Sequence, residues 1–187
     1  DAYVITGSKK SVYDDEPWIK QLEAYVVVLD RARKPLAGIC FGHQMVAQAL
    51  GGKTEAAAAG WGVGVHESTI DHPQSYMQPA LPTAKVLVSH KDQVTVLPDG
   101  ATLLASSDFC PNSMYQLGEH TFCIQGHPEF RPEYSRDLME MRREMLGEQV
   151  YQTGVASLDK GLDSDVVTRW ILQFLRQASD NYAAAGV

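Results

Sequence analysis

The sequence is 187 residues long, 44% hydrophobic and 21% charged, enough chain for a single domain spanning residues 1–187 with a substantial core and the composition of an ordinary globular protein. A formal net charge of −7, with the basic residues in pairs (Lys9-Lys10, Arg142-Arg143) rather than in a stripe, argues against nucleic acid as a partner, and no apolar run is long enough to span a bilayer. The three cysteines, Cys40, Cys110 and Cys123, make neither a disulfide framework nor a CxxC pair, so a reducing cytoplasm is the expected setting.

In chain order, Ala2 to Thr6 alternates as a β-strand and ends in the turn signal Gly7-Ser8. The chain enters this strand without a lead-in, and a sheet needs neighbours for its first strand, so earlier strands are expected ahead of Asp1. Asp15-Glu16-Pro17 opens a helix that carries Trp18, Ile19, Leu22 and Tyr25 at helical spacing. KPLAGI (34–39) is a short apolar strand, and Gln44 to Leu50 is a helix closed by Gly51-Gly52. From Gly60 to Leu117 short β runs alternate with Gly and Pro: GWGVGVHEST, AKVLVSH, QVTVLP, ATLLASS and SMYQL; HTFCIQG follows across Gly118-Glu119, which has hairpin chemistry. Two helices are expected after His127, Glu133 to about Glu148 and Ser164 to about Gln177, with the tail NYAAAGV frayed. Helices flanking strands predict an α/β layered fold.

The stretch GICFGHQ (38–44) places Cys40 at a strand-to-helix joint between Gly38 and Gly42. Glycines flank a nucleophile on such an elbow because the turn is crowded, and the helix N-terminus favours a thiolate over a thiol. The same geometry aims the Phe41 N–H at the site as an oxyanion donor; the Gly7-Ser8 turn, at the carboxyl end of the first strand, is the natural source of a second. A thiolate cannot protonate a leaving amine, and the best general acid lies in QGHPEF (125–130), where His127 and Glu129 are two apart. With Pro128 biasing His127 to an extended conformation, both side chains can point the same way, letting the carboxylate orient the imidazole. The competing reading of Cys40 is a small buried thiol at the end of a core strand.

Three motifs in order resemble the class I (triad) glutamine amidotransferases: GICFGHQ their nucleophile segment, VSHKDQVTVLPDGATLLASS their SH-x-D-x-V-x-x-LP stretch, and FCIQGHPEF their histidine-glutamate segment. The resemblance runs from Asp1 to about Phe130 and is greatest to stand-alone proteins similar to the glutaminase domain of GMP synthetase and to plant γ-glutamyl peptidases. It implies a flavodoxin-like three-layer fold with a mostly parallel central sheet flanked by helices and an antiparallel β portion. It also implies hydrolysis of glutamine or another γ-glutamyl compound through a thioester on Cys40. Carried over by position, Cys40, His127 and Glu129 are the triad, Phe41 and Gly7 the oxyanion donors, and Gln44, Ser89 and Asp92 the substrate contacts. No cofactor or metal is needed. A separate synthetase or acceptor subunit is the implied partner if ammonia is passed on; a free-standing γ-glutamyl peptidase needs none. Thr6-Gly7-Ser8 stands where the synthetase-linked domains have Gly-Gly-Pro, and Lys91, where they often have Gly, brings a cation near the α-amino or α-carboxylate subsite.

Cys110 and Cys123 read as structural thiols, His43 as a surface or capping histidine as much as a neighbour of the site, and Trp61 as core. His66, His72 and His120 lack clustered metal spacing. A catalytically silent binding module of the same fold would be marked by loss of Cys40 or His127, and both are present.

Overall fold

The computed structural model describes residues 1–186. Along the chain, β1 (Tyr3–Ile5) leads to α1 (Pro17–Arg31), β2 (Leu36–Ile39) and α2 (Phe41–Ala49). Seven strands follow: β3 (Lys53–Ala56), β4 (Gly62–Ile70), β5 (Thr83–His90), β6 (Asp92–Val96), β7 (Ala101–Ser106), β8 (Met114–Leu117) and β9 (Thr121–Ile124). Four helices close the chain: α3 (Pro132–Met141), α4 (Arg143–Leu146), α5 (Glu148–Ser157) and α6 (Ser164–Ala184).

Seven strands form one sheet in the order β1-β2-β9-β8-β7-β4-β5, and β3 pairs with β6 in a separate ribbon. The sheet is mixed. β1, β2 and β9 are parallel, as crossover connections through helices require. The pairings from β9 outward to β5 are antiparallel, so the antiparallel portion is the larger one. The β8-β9 hairpin turns at Gly118, whose φ of 56° is the left-handed backbone that glycine adopts readily.

Alternation along the central strands divides the core into layers. On β9, Phe122 and Ile124 face Trp170, Ile171 and Phe174 of α6, while Cys123 points the other way, into a cluster with Val26 and Leu29 of α1 and Met45 and Val46 of α2. Trp170 is fully buried and its indole N–H donates to the Pro79 carbonyl at 3.0 Å. A third cluster packs Val63 and Val65 of β4 and Leu87 of β5 against Met139 and Leu146.

Several local expectations are revised. α1 buries Ile19, Val26 and Leu29, whereas Trp18 and Tyr25 are 42% and 45% exposed, resting on Phe41 and Tyr3 respectively. The helix expected from Glu133 to about Glu148 is two pieces, α3 and α4: it breaks at Arg142 and ends at Gly147, where φ is 77°. α5 and β3 carry little periodicity and were not anticipated. α6 continues to Ala184, through the segment expected to fray; Val187 lies outside the described residues. Among the described residues no helix is long and apolar enough to cross a membrane.

Candidate active site

The carboxyl ends of parallel strands share one side of a sheet, and crevices there are where open α/β sheets bind ligands. Gly7 follows β1, Cys40 directly follows β2, and His127 comes shortly after β9. The register Ile39↔Ile124, with the Cys40 N–H donating to the Ile124 carbonyl at 2.9 Å, brings the second and third together across 87 positions of sequence.

Cys40 adopts φ 54° and ψ −101°, outside the usual range of a non-glycine residue, as it leaves β2 directly into α2. The glycines on either side are required by crowding rather than by φ. A Cβ on Gly38 would lie 2.6 Å from the Gly42 carbonyl oxygen, and one on Gly42 would collide with the Ile5 carbonyl. α2 begins at Phe41, earlier than the Gln44 start expected from periodicity. The Phe41 N–H is therefore among the first N–H groups of a helix, which have no acceptor within it.

His127 is buried and its Nδ1 lies 2.7 Å from Glu129 Oε1, with the Cys40 side chain close enough to favour the charged ring. Burial alone would pull the imidazolium down. The hydrogen bonds and charges of Cys40 and Glu129 outweigh it and hold His127 up at about 9. The backbone N–H of His127 donates to the Leu87 carbonyl at 2.7 Å, fixing the residue to β5.

Glu129 does not reach Nδ1 by the extended i, i+2 alternation expected of His-Pro-Glu. His127 to Phe130 form a turn closed by the Phe130 N–H on the His127 carbonyl at 3.2 Å, with Pro128 in the second position, where its fixed φ suits a turn. The turn also folds the Phe130 ring over the imidazole, which no periodicity pointed to. Centroids are 3.9 Å apart with 10° between planes. From another loop, Gly7 approaches so closely that a Cβ there would lie 2.9 Å from His127 Cε1 and 3.9 Å from Cys40 Cβ.

The remaining expected residues lie around this centre with their polar groups engaged by protein. Gln44 donates from Nε2 to the Asp92 carbonyl (2.8 Å) and to Gln125 Oε1 (3.0 Å). The Asp92 carboxylate accepts from Ser11 Oγ and from Tyr13 Oη at 2.9 Å, which ties the start of β6 to the loop after Gly7. Ser89 Oγ accepts from Arg142 Nη1 at 2.9 Å, and that guanidinium lies 5.8 Å from the Trp61 ring centroid. The loop anchors Ser11 and Tyr13, together with Arg142, were not among the expected residues; the polar-aromatic SVYDD stretch is the only sequence trace of the first two.

The other histidines and thiols are held by different partners. His43 is wholly buried, not on the surface: Nε2 pairs with the Asn112 carbonyl at 2.8 Å, the ring packs on Tyr115, and burial lowers it to about 3. Burial likewise lowers His90 to about 4. Burial pushes Cys110 and Cys123 up to about 12, leaving neutral, weakly nucleophilic thiols. Among the described residues no group of three His, Cys, Asp or Glu side chains is placed to hold a metal ion.

Several known proteins are similar to this chain. The profile described as "Glutamine amidotransferase class-I" matches residues 2–143. Gamma-glutamyl peptidase 3 of Arabidopsis thaliana is 37% identical over 146 residues, which are 75% of this chain and 59% of that protein. The chain thus spans less than two thirds of this relative. A GMP synthase of Bacillus pumilus is 36% identical over 140 residues, 73% of this chain and 26% of the synthase. The solved structure of a glutamine amidotransferase from Methylobacillus flagellatus superposes with a TM-score of 0.76 at 23% identity, covering 93% of this chain and 74% of that one, a likeness of fold. The chain belongs to the class I glutamine amidotransferase family.

Proposed function

We propose that this chain is a cysteine-dependent amidohydrolase that cleaves the γ-amide of glutamine or of a γ-glutamyl compound. The observation that carries the reading is the placement of His127 between Cys40, on a positive-φ elbow at a helix N-terminus, and the Glu129 carboxylate at 2.7 Å.

In the proposed reaction the Cys40 thiolate attacks the γ-carbonyl carbon, and the carbonyl π electrons move to oxygen. The N–H groups of Phe41 and Gly7 receive that oxyanion. As the tetrahedral intermediate collapses, the C–N bond breaks and the imidazolium of His127 gives its proton to the departing nitrogen, releasing ammonia or an amine. His127, now neutral, takes a proton from water as the water oxygen adds to the thioester. Breaking the C–S bond frees glutamate and restores the thiolate beside the imidazolium. Glu129 keeps the ring orientation and favours its charged form through both halves. Gln44, Ser89 and Asp92 form the wall on which the glutamyl group is placed, with Lys91 as a nearby cation.

The test is glutamate release from glutamine and from a panel of γ-glutamyl peptides, with Cys40→Ala as control. Release from peptides by the chain alone identifies a free-standing γ-glutamyl hydrolase, the reading favoured by its identity with the plant peptidase. The match to a GMP synthase favours a second reading, a glutaminase component that passes ammonia to a separate synthetase. No release, with Cys40 still selectively alkylated by iodoacetamide, supports that one. An unreactive Cys40 overturns both and leaves a binding module of the same fold.

A further inference from the structure

The triad accounts for two of the groups packed on His127, the Cys40 and Glu129 side chains, but not for the third. Phe130 lies parallel to the imidazole at 3.9 Å and 10°, closer and flatter than the other aromatic pairs around it. The hydrogen-bonded turn at His127 to Phe130 leaves the ring there by construction. Tyr134, in the first turn of α3, meets Phe130 edge-on at 4.7 Å and 74°, and the cluster of Val63, Leu87 and Met139 packs beside it. Held from two sides, the Phe130 ring has little freedom to leave the imidazole.

We propose that Phe130 is a positioning residue for His127, its face holding the imidazole plane in line with Cys40 and favouring the protonated ring. The reason is electrostatic. An aromatic face carries the negative part of the ring quadrupole, so it attracts an imidazolium more than a neutral imidazole, and does so best where water is excluded. His127 is 4% exposed, which places the contact in that regime. The ionisable groups that face His127 are Cys40 at the β2-α2 joint, Glu129 in its own turn and His90 on β5, which burial keeps neutral. Arg131, Glu133 and Asp137 line a surface groove together with Glu129, Phe130 and Tyr134. Glu129 and Phe130 thus act on the same imidazolium from orthogonal directions, the carboxylate in the ring plane at Nδ1 and the aromatic above the plane. The in-line placement bears on the hydrolase reading, since a ring tilted away from Cys40 would deliver its proton poorly.

The experiment is an NMR titration of the His127 Cε1–H signal, assigned by its loss in His127→Asn, in the wild type, Phe130→Leu and Phe130→Tyr. Leucine keeps an apolar cover of similar bulk and removes the π-face; tyrosine keeps the face. The His127 midpoint is expected to fall by roughly half to one pH unit in Phe130→Leu and by no more than about 0.2 in Phe130→Tyr. The alkaline limb of kcat/KM should move by the same amount in each. Phe130→Met serves the same comparison if the leucine variant fails to fold. An unchanged midpoint in a folded leucine or methionine variant overturns the proposal, whatever happens to the rate, because loss of packing alone lowers kcat without moving the titration. The titration needs no substrate, so absence of hydrolysis in the wild type would overturn the hydrolase reading while leaving this one to be judged by the midpoint.

Discussion

Gly7 and Phe130 constrain one imidazole from two separate loops, and the tolerances at Gly7 are tight enough to be tested. A Cβ on Gly7 meets His127 Cε1 at 2.9 Å, which forces the ring to move by a few tenths of an ångström. Gly7→Ala should lower kcat about 10- to 100-fold while leaving the melting temperature within a few degrees, since the clash is confined to the site. Steady-state kinetics beside a thermal melt check it. The buried histidines give a second outcome. His43 and His90, lowered to about 3 and about 4, stay neutral in the fold, whereas the unfolded chain binds their protons below about 6.5. Stability is therefore lost as pH falls from 6.5 toward 4, each histidine costing about 2 kcal/mol at pH 5. His127 acts in the other direction. Its raised value adds stability that is complete below 6.5 and disappears as pH rises through about 9. Urea midpoints across pH 5 to 10 should show a maximum between these limits, and His43→Gln should flatten the acid side whatever its absolute stability. The elbow was legible because crowding at Gly38 and Gly42 is a local property of G-x-C-x-G. The burial of His43 was not, because what covers it, Asn112 and Tyr115, comes about 70 residues later.

Strands read better than helices in this chain. The short β runs between Gly60 and Leu117 were each bounded by Gly or Pro, and the structure has a strand in each. Helix α5 was missed because its residues, EQVYQTGVAS, lack a sustained apolar stripe, and only two of them, Gly154 and Ser157, are buried. Its hold on the sheet is partly apolar, with half-buried Val150, Tyr151 and Val155 packed against the cluster of Val63, Val65 and Leu87, and partly polar. The Ser157 hydroxyl accepts the Val65 N–H at 2.8 Å and donates to the Gly154 carbonyl at 2.6 Å. Gly64, at φ 80°, leaves the room for that contact. Ser157→Ala orphans a buried N–H and should destabilise by about 1–3 kcal/mol, read as a lower urea midpoint at unchanged slope. The break at Gly147 escaped notice for a related reason: glycine marks where a helix can end, but Arg142, with no such mark, ends one too.

Across the whole molecule, the layers follow from alternation on β9. Phe122 and Ile124 commit one face of the sheet to α6, and Cys123 commits the other to α1 and α2. That much was legible as an α/β pattern. The long-range ties were not, since nothing in VSHKD announces that Asp92 will bind Ser11 and Tyr13, some 80 residues away. That tie separates two kinds of chemistry that a single thiol can perform. Alkylation by iodoacetamide displaces halide at a saturated carbon and develops no oxyanion, whereas amide cleavage does. Loosening the Gly7 loop with the double substitution Ser11→Ala and Tyr13→Phe, which removes the tie and leaves Asp92 in place, should therefore leave the alkylation rate of Cys40 within about twofold while glutamate release falls about 10- to 100-fold, the loss of one oxyanion donor being worth 10²–10³ in the extreme. Asp92 would then act as a latch on the electrophile's side of the site, and comparing the two rates across a set of variants would sort each residue by whether it serves the sulfur or the oxygen.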